Sequence, residues 1–290
     1  MDVMTYLTLP FAQHALVAGF LIALICGIIG PFVIARQMAF AVHGAAELSF
    51  TGASAGLLIA GNPVAGALIG SVVVAGAMGL LGDRSRERDS AIGVVLAAGL
   101  GLGVYLLSRY QGFASAATNI LFGNIFGISW IQILILVALA VAVMVVMVVI
   151  YRPLLFASVD PELAQARGVS LKLLGIIFLI VLALSVTEAA QVVGTLLVLS
   201  LAITPAAAAQ RVSRGPASTT VVSIAIAMLA TEGGLILALV WSSVPPTVFI
   251  SALSFASYVL ARLVGPGIAR RRREGLERLR NLAAALTEAA

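Results

Sequence analysis

The chain has 290 residues, of which 61% are hydrophobic and only 10% charged, with a mean hydropathy of +1.14. A soluble globule would carry about 25% charged residues, so this composition excludes one and leaves no room for a large soluble domain. The single cysteine, Cys26, excludes an intramolecular disulfide, and the formal net charge of +5 is explained below without a nucleic-acid partner.

In chain order, the first apolar run, 15–35, has no basic segment before it and is long for the core of a cleaved leader. It reads as a retained first span over 14–35. Apolar runs punctuated by Arg, Pro and Gly place further spans near 39–60, 63–82, 90–108, 129–150, 171–187, 190–210, 217–240 and 245–264. The expected fold is therefore an all-α, polytopic transmembrane bundle of about nine helices, each near the ~20 residues that cross a bilayer. The count becomes eight or ten according to the segment 109–128, RYQGFASAATNILFGNIFGI. Broken by Gly and polar residues, it reads as an interfacial or re-entrant helix.

Basic residues decide orientation. With the N-terminus outside, the cytoplasmic segments collect Arg36, Arg84, Arg86, Arg88, Arg152, Arg167, Lys172, Arg211, Arg214, Arg262, Arg270 to Arg273, Arg278 and Arg280, sixteen of the seventeen; only Arg109 falls outside. The C-terminus is then cytoplasmic, and the positive charge faces anionic inner-leaflet lipid. Two regions follow: a transmembrane domain over 1–268 and a basic, helix-forming tail over 269–290 that includes RRRREGLERLR from Arg270.

Small residues recur at helix-packing spacing. Gly66 and Gly70, Gly99 and Gly103, and Gly123 and Gly127 are each spaced GxxxG, which permits close helix approach in lipid. Gly52-Ala53-Ser54-Ala55-Gly56 matches the GxSxG pattern of serine hydrolases, but that pattern needs a strand-turn-helix elbow. Here it sits in a membrane helix, with His43 about 16 Å away along the axis, so the match is accidental. No other catalytic constellation is present, and an enzyme is not expected.

Few polar residues fall at membrane depth, where they mark pathways or binding sites. His43 and Glu47 stand four apart within Arg36–Gly56, RQMAFAVHGAAELSFTGASAG, and so share one helix face. Imidazole plus carboxylate at that spacing is a ligand pair for a divalent cation; the alternatives are a packed imidazole and a protonated or hydrogen-bonded carboxyl. Glu232, before Gly233 and Gly234, is a candidate third ligand, proton carrier or inter-helix hydrogen-bonding group. Glu188 is expected at a solvated outer turn, where it could guard an entrance. His14 lies near an outer span end. On the inner side, Tyr151–Ser170 reads as a short cytoplasmic helix with Asp160 at its N-cap, Pro161 at N1 and Gly168 at its end: a docking knob or a plain loop.

Taken together, these stretches resemble the membrane permease of the zinc/manganese class of bacterial ABC importers over nearly the whole length. Arg36–Gly56 is similar to that family's metal-ligand helix, Asp89–Gly93 (DSAIG) to its DxxIG element, and Leu121–Ser129 (LFGNIFGIS) to its LFGxxLGxS element. Asp160–Gly168 (DPELAQARG) resembles its DPExAxAxG coupling helix, Val193–Ala207 (VGTLLVLSLAITPAA) its VGxLLVxALLxxPAA helix, and Val244-Pro245-Pro246 its late outer proline pair. The pair departs from the family's usual Asp then His: here His43 precedes Glu47.

The resemblance implies a homodimer in the bacterial cytoplasmic membrane. A separate cytoplasmic ATPase subunit would dock on the coupling helix through Asp160, Pro161, Glu162, Ala164 and Gly168, and an extracytoplasmic metal-binding protein would deliver the ion. It implies no permanently bound cofactor and no hydrolysis by this chain; a divalent metal ion, zinc before manganese or iron, would be the transported substrate, passing His43 and Glu47, with Glu232 and Glu188 as further metal candidates. Two other readings stay open: a permease of the same importer type for an organic metal chelate such as a siderophore or cobalamin, which needs a wider and more aromatic cavity than 7% aromatic residues suggest, and a proton-coupled secondary transporter working through Glu47 and Glu232.

Overall fold

The computed structural model describes residues 9–81, 85–112, 123–241 and 243–288, and side chains for all of these except 80–81, 85–89, 91, 196 and 268–288. Ten α-helices make up the described residues: α1 (Pro10–Ala35), α2 (Ala39–Ala60), α3 (Pro63–Leu81), α4 (Ser85–Ser108), α5 (Trp130–Val159), the short α6 (Pro161–Ala166), α7 (Leu171–Val193), α8 (Thr195–Val212), α9 (Pro216–Val240) and α10 (Pro246–Glu288). A 3₁₀ turn, Ile125–Gly127, precedes α5. Eight of the nine expected spans fall on one long helix each apart from end residues, whereas 190–210 starts in the last turn of α7 and continues through α8; the long helices number nine among the described residues. Five of these, α1, α5, α7, α9 and the Pro246–Gly267 part of α10, are long and apolar enough to cross a membrane. Half of the 109–128 segment, residues 113–122, lies outside the described residues, as do Arg84 and, for their side chains, Asp89 and the basic tail.

α1 and α7 form the centre of the bundle, two-thirds of each apolar stretch being buried by protein, against about one-fifth in α10. Local chemistry sets the helix ends. Ser129 and Gln132 cap α5 reciprocally, the Gln132 amide N–H donating to the serine Oγ and the Ser129 N–H to Gln132 Oε1 at 2.8 Å. Ser170 caps α7 through Leu173 N–H. α1 ends where Gln37 takes a left-handed φ of 52° and Met38 N–H reaches back to Val33 O at 2.8 Å, which turns the chain straight into α2.

α2 is the exception to the apolar rule. His43, Glu47, Ser49, Thr51 and Ser54 keep it off the set of helices apolar enough to span, and it is enclosed instead. Along one side α3 presses glycine on glycine: a Cβ on Gly66 would collide with the Gly52 carbonyl oxygen, and one on Gly56 would come within 2.6 Å of Gly66 Cα. Along the next side α4 does the same. A Cβ on Gly99 would run into Leu48, one on Gly103 would lie 2.8 Å from the Phe50 ring and from Thr51 Oγ1, and Thr51 donates to Gly99 O at 2.7 Å across the same seam. The hydrolase-like GASAG run is thus half of a helix-packing seam, with Ser54 Oγ spent on Phe50 O at 2.8 Å.

Two expectations change. Gly123 and Gly127 form no helix-packing pair: they belong to the turn before α5, where Gly123 has φ +73° and would bring a Cβ within 2.5 Å of Val192 O. The outer break expected between 187 and 190 lies at Gly194, whose φ of +92° only glycine holds without strain. Glu188 is therefore inside α7, 4% exposed, and not at a solvated turn.

The seams give a direct test. Gly66→Ala should destabilise the protein by about 1–3 kcal/mol, because backbone must move to admit the methyl, whereas Gly76→Ala on the same helix meets nothing within 4 Å and should be neutral or better. A thermal melt followed by a thiol-reactive dye reads this directly, since the sole thiol, Cys26, is buried.

Candidate functional site

His43 and Glu47 lie in the first half of α2, one turn apart on one face. Glu47 is 9% exposed; His43 is half-buried, with its ring 6.2 Å from that of Phe40. The neighbouring face carries Gly44, against which Ile92 of α4 and Met78 of α3 pack. The pair therefore sits where α2 is surrounded by apolar groups, a setting in which a carboxylate and an imidazole bind a cation more strongly than in water.

The other acids are elsewhere. Glu232 is on α9, turned to α1, its Oε1 3.2 Å from where a Gly19 Cβ would be. Glu188 lines a cavity of about 210 Å³ at the end of the bundle formed by α2, α3, α5, α7 and the 3₁₀ turn. The α2 residues bordering it are Ser49 and Ala53, and Ser49 stands some 200° round the helix from Glu47. The pair and the Glu188 cavity thus occupy opposite faces of α2, and among the described residues no three His, Cys, Asp or Glu side chains are grouped for a metal. His14 is structural: its Nδ1 lies 3.3 Å from Ile128 O and its ring 5.7 Å from that of Trp130.

At the other end, α6 has the geometry its sequence predicts. Asp160 Oδ1 accepts from Leu163 N–H at 3.0 Å, Pro161 occupies N1, Val169 N–H returns to Ala164 O at 3.1 Å, and Gly168 has φ +83°. Ala164 is fully buried, which fixes the helix to the bundle, while Glu162 is exposed. Missed from sequence are the apolar residues beside it: Leu163 is 46% and Val159 76% exposed, a surface suited to a protein partner. Behind α6 a cavity of about 610 Å³ runs to Arg36 and Met38 at the start of α2, and the Arg36 guanidinium lies 5.9 Å over the Phe178 ring.

Residues 8–265 match the family model of the ABC 3 transport family. The manganese transport system membrane protein MntC of Halalkalibacterium halodurans is 33% identical over 70% of this chain and 70% of its own. The high-affinity zinc uptake system membrane protein ZnuB of Haemophilus influenzae is 29% identical over 86% and 96%. Among solved structures, PsaBC from Streptococcus pneumoniae in complex with Fab superposes with a TM-score of 0.83 at 22% identity, covering 94% of this chain and 98% of that one, a likeness of fold.

Gly168→Ala should loosen α6. Nothing lies within 4 Å of the new methyl, but a left-handed backbone costs a Cβ-bearing residue about 1–2 kcal/mol. Faster trypsin cleavage after Arg167 than in wild type is the expected readout, and an unchanged rate would refute the strain.

Proposed function

Because this chain belongs to the ABC 3 transport family, a family of metal-importer permeases of the bacterial inner membrane rather than enzymes, we propose that it carries a divalent transition-metal ion into the cytoplasm by alternating access. The observation that carries this reading is the placement of His43 and Glu47 on one face of the enclosed helix α2. A helix this polar is retained in a membrane bundle for a pathway or binding site. Imidazole favours zinc while the carboxylate also serves manganese and iron, and both zinc and manganese occur in the names of the relatives; zinc is placed first. Nine spans, an outer N-terminus and a cytoplasmic C-terminus complete the topology we propose.

In the working assembly, two copies of the chain bring their His43–Glu47 pairs to a shared path. The transported ion is held there transiently, since a conduit that binds tightly does not release. Glu232 and Glu188, on other interfaces, stand outside that pair. A cytoplasmic ATPase subunit docks on α6 through Glu162, Leu163 and Val159, and an extracytoplasmic binding protein supplies the ion. The cavity joining α6 to Arg36 and Met38 gives ATPase movement a route to the first turn of α2, four to five residues from His43. A chelate permease is less favoured, since its wider cavity calls for more aromatic lining than a chain with 7% aromatic residues supplies.

Elemental analysis of a permease-deletion strain rescued with wild type or Glu47→Ala, at matched membrane expression, tests the path: wild type should restore one of zinc, manganese or iron, and the variant should not. Unchanged metal content with either gene would remove the metal reading. For the coupling helix, Glu162→Arg should abolish co-purification of the ATPase while the permease still reaches the membrane, and normal co-purification would refute the docking role. In a Cys26→Ser background, a cysteine at Gln132 should react with a membrane-impermeant thiol reagent in intact cells, and one at Gln165 only after permeabilisation; the reverse would invert the topology.

A further inference from the structure

The cavity built around Glu188 is left without a role by the His43–Glu47 path. Its polar lining is unusual for a buried place in a membrane bundle. Glu188 is 4% and Thr195 2% exposed, and Glu188 Oε1, Thr195 Oγ1 and Gln191 Nε2 are all buried with no hydrogen-bond partner in the protein. An unpaired buried carboxylate costs several kcal/mol, yet no Lys, Arg or His lines the cavity to balance it. Glu188 and Gln191 are three apart on α7 and so share a face, and Thr195 follows just past the Gly194 break. Asn124 and Gln132, both exposed, line the same cavity and form its mouth.

We propose that this cavity is a second cation site, taking a hydrated divalent ion with Glu188 as its anionic ligand and Gln191 and Thr195 holding water of its shell. The donors are oxygen and amide, with no imidazole or thiolate, a set that suits hard, hydrated ions. The amide of Gln191 presents either its oxygen or its nitrogen by a half-turn of the terminal bond. The volume of about 210 Å³, at about 30 Å³ per water, accommodates an ion together with about six waters. Because Ser49 and Glu47 project from opposite faces of α2, the site is separate from the His43–Glu47 pair: it collects the ion, still hydrated, at the outer end of the bundle. This role rests on the metal-importer reading, but the site itself does not depend on the pair.

The test is Mn2+ binding to the purified full-length chain in phosphatidylcholine nanodiscs, followed by electron paramagnetic resonance, for wild type, Glu188→Gln, Thr195→Val and the double variant His43→Ala/Glu47→Gln. Wild type should bind Mn2+ at two separable sites; Glu188→Gln and the double variant should each lose a different one, and Thr195→Val should weaken only the Glu188-dependent ion, by about tenfold as for residues acting through a ligand shell. If Glu188→Gln binds as wild type does while the double variant loses its ion, this site is overturned and the importer reading stands. If only the double variant binds as wild type does, the pair falls and the Glu188 site stands. Loss of the same single ion in both variants would show one shared site and overturn the separation, and absence of any Mn2+ binding by wild type would overturn both.

Discussion

A helix that carries His43, Glu47, Ser49, Thr51 and Ser54 cannot face hydrocarbon, so α2 has to be walled in by protein, and the rest of the bundle is arranged to do this. The walls stand unusually close because glycine removes the side chains that would hold them off. Gly52 and Gly56 meet Gly66 and Gly70 of α3, and Gly99 and Gly103 of α4 meet Leu48, Phe50 and Thr51. Without a hydrophobic drive between helices in lipid, close van der Waals contact and a few inter-helix hydrogen bonds supply the association; the 2.7 Å bond from Thr51 to Gly99 O is one of the latter. The hydroxyls of Ser49 and Ser54 return to the carbonyls of their own helix, so the polar groups left over on α2 are the imidazole and the carboxylate.

The two ends of the bundle are tied together by α5. At 30 residues it is about 45 Å long, more than the ~30 Å hydrocarbon layer requires. Gln132 and Leu136 near its start line the Glu188 cavity, and Ala157 near its end lines the cavity behind α6. One continuous helix, with Pro153 inside it, thus touches both cavities and leads directly into α6. The residues of positive φ sit in the turns between helices: Gly61, Gly123 and Gly194 toward the end with the Glu188 cavity, Gln37 and Gly168 toward the end with α6.

The helices were legible because each long apolar run ended at a Pro, Gly or Arg, and α6 because Asp160, Pro161 and Gly168 are local capping chemistry that acts within one turn of itself. The spacing of His43 and Glu47 was legible for the same reason. Glu188 was misplaced because a polar residue between two apolar runs looks like a loop, whereas the chain breaks six residues later, at the one residue able to hold φ +92°. The Gly123–Gly127 pair shows the converse error, since a spacing that packs helices has no such meaning in a turn.

By itself, then, the sequence determined an all-helical membrane chain, the four-residue spacing of His43 and Glu47 and the capped helix α6, which depend on composition, periodicity or contacts a few residues apart, and its ordered motifs carried the resemblance to the family. Only the tertiary structure decided that α2 is packed between α3 and α4, that GASAG is a packing seam, that Glu232 faces α1 away from the pair, and that Glu188 lines a cavity with Gln191 and Thr195. Those facts depend on which faces of distant helices meet. In a chain this uniformly apolar the hydrophobic pattern does not tell a lipid-facing side of a helix from a protein-facing one, so the rotation of each helix cannot be read in advance.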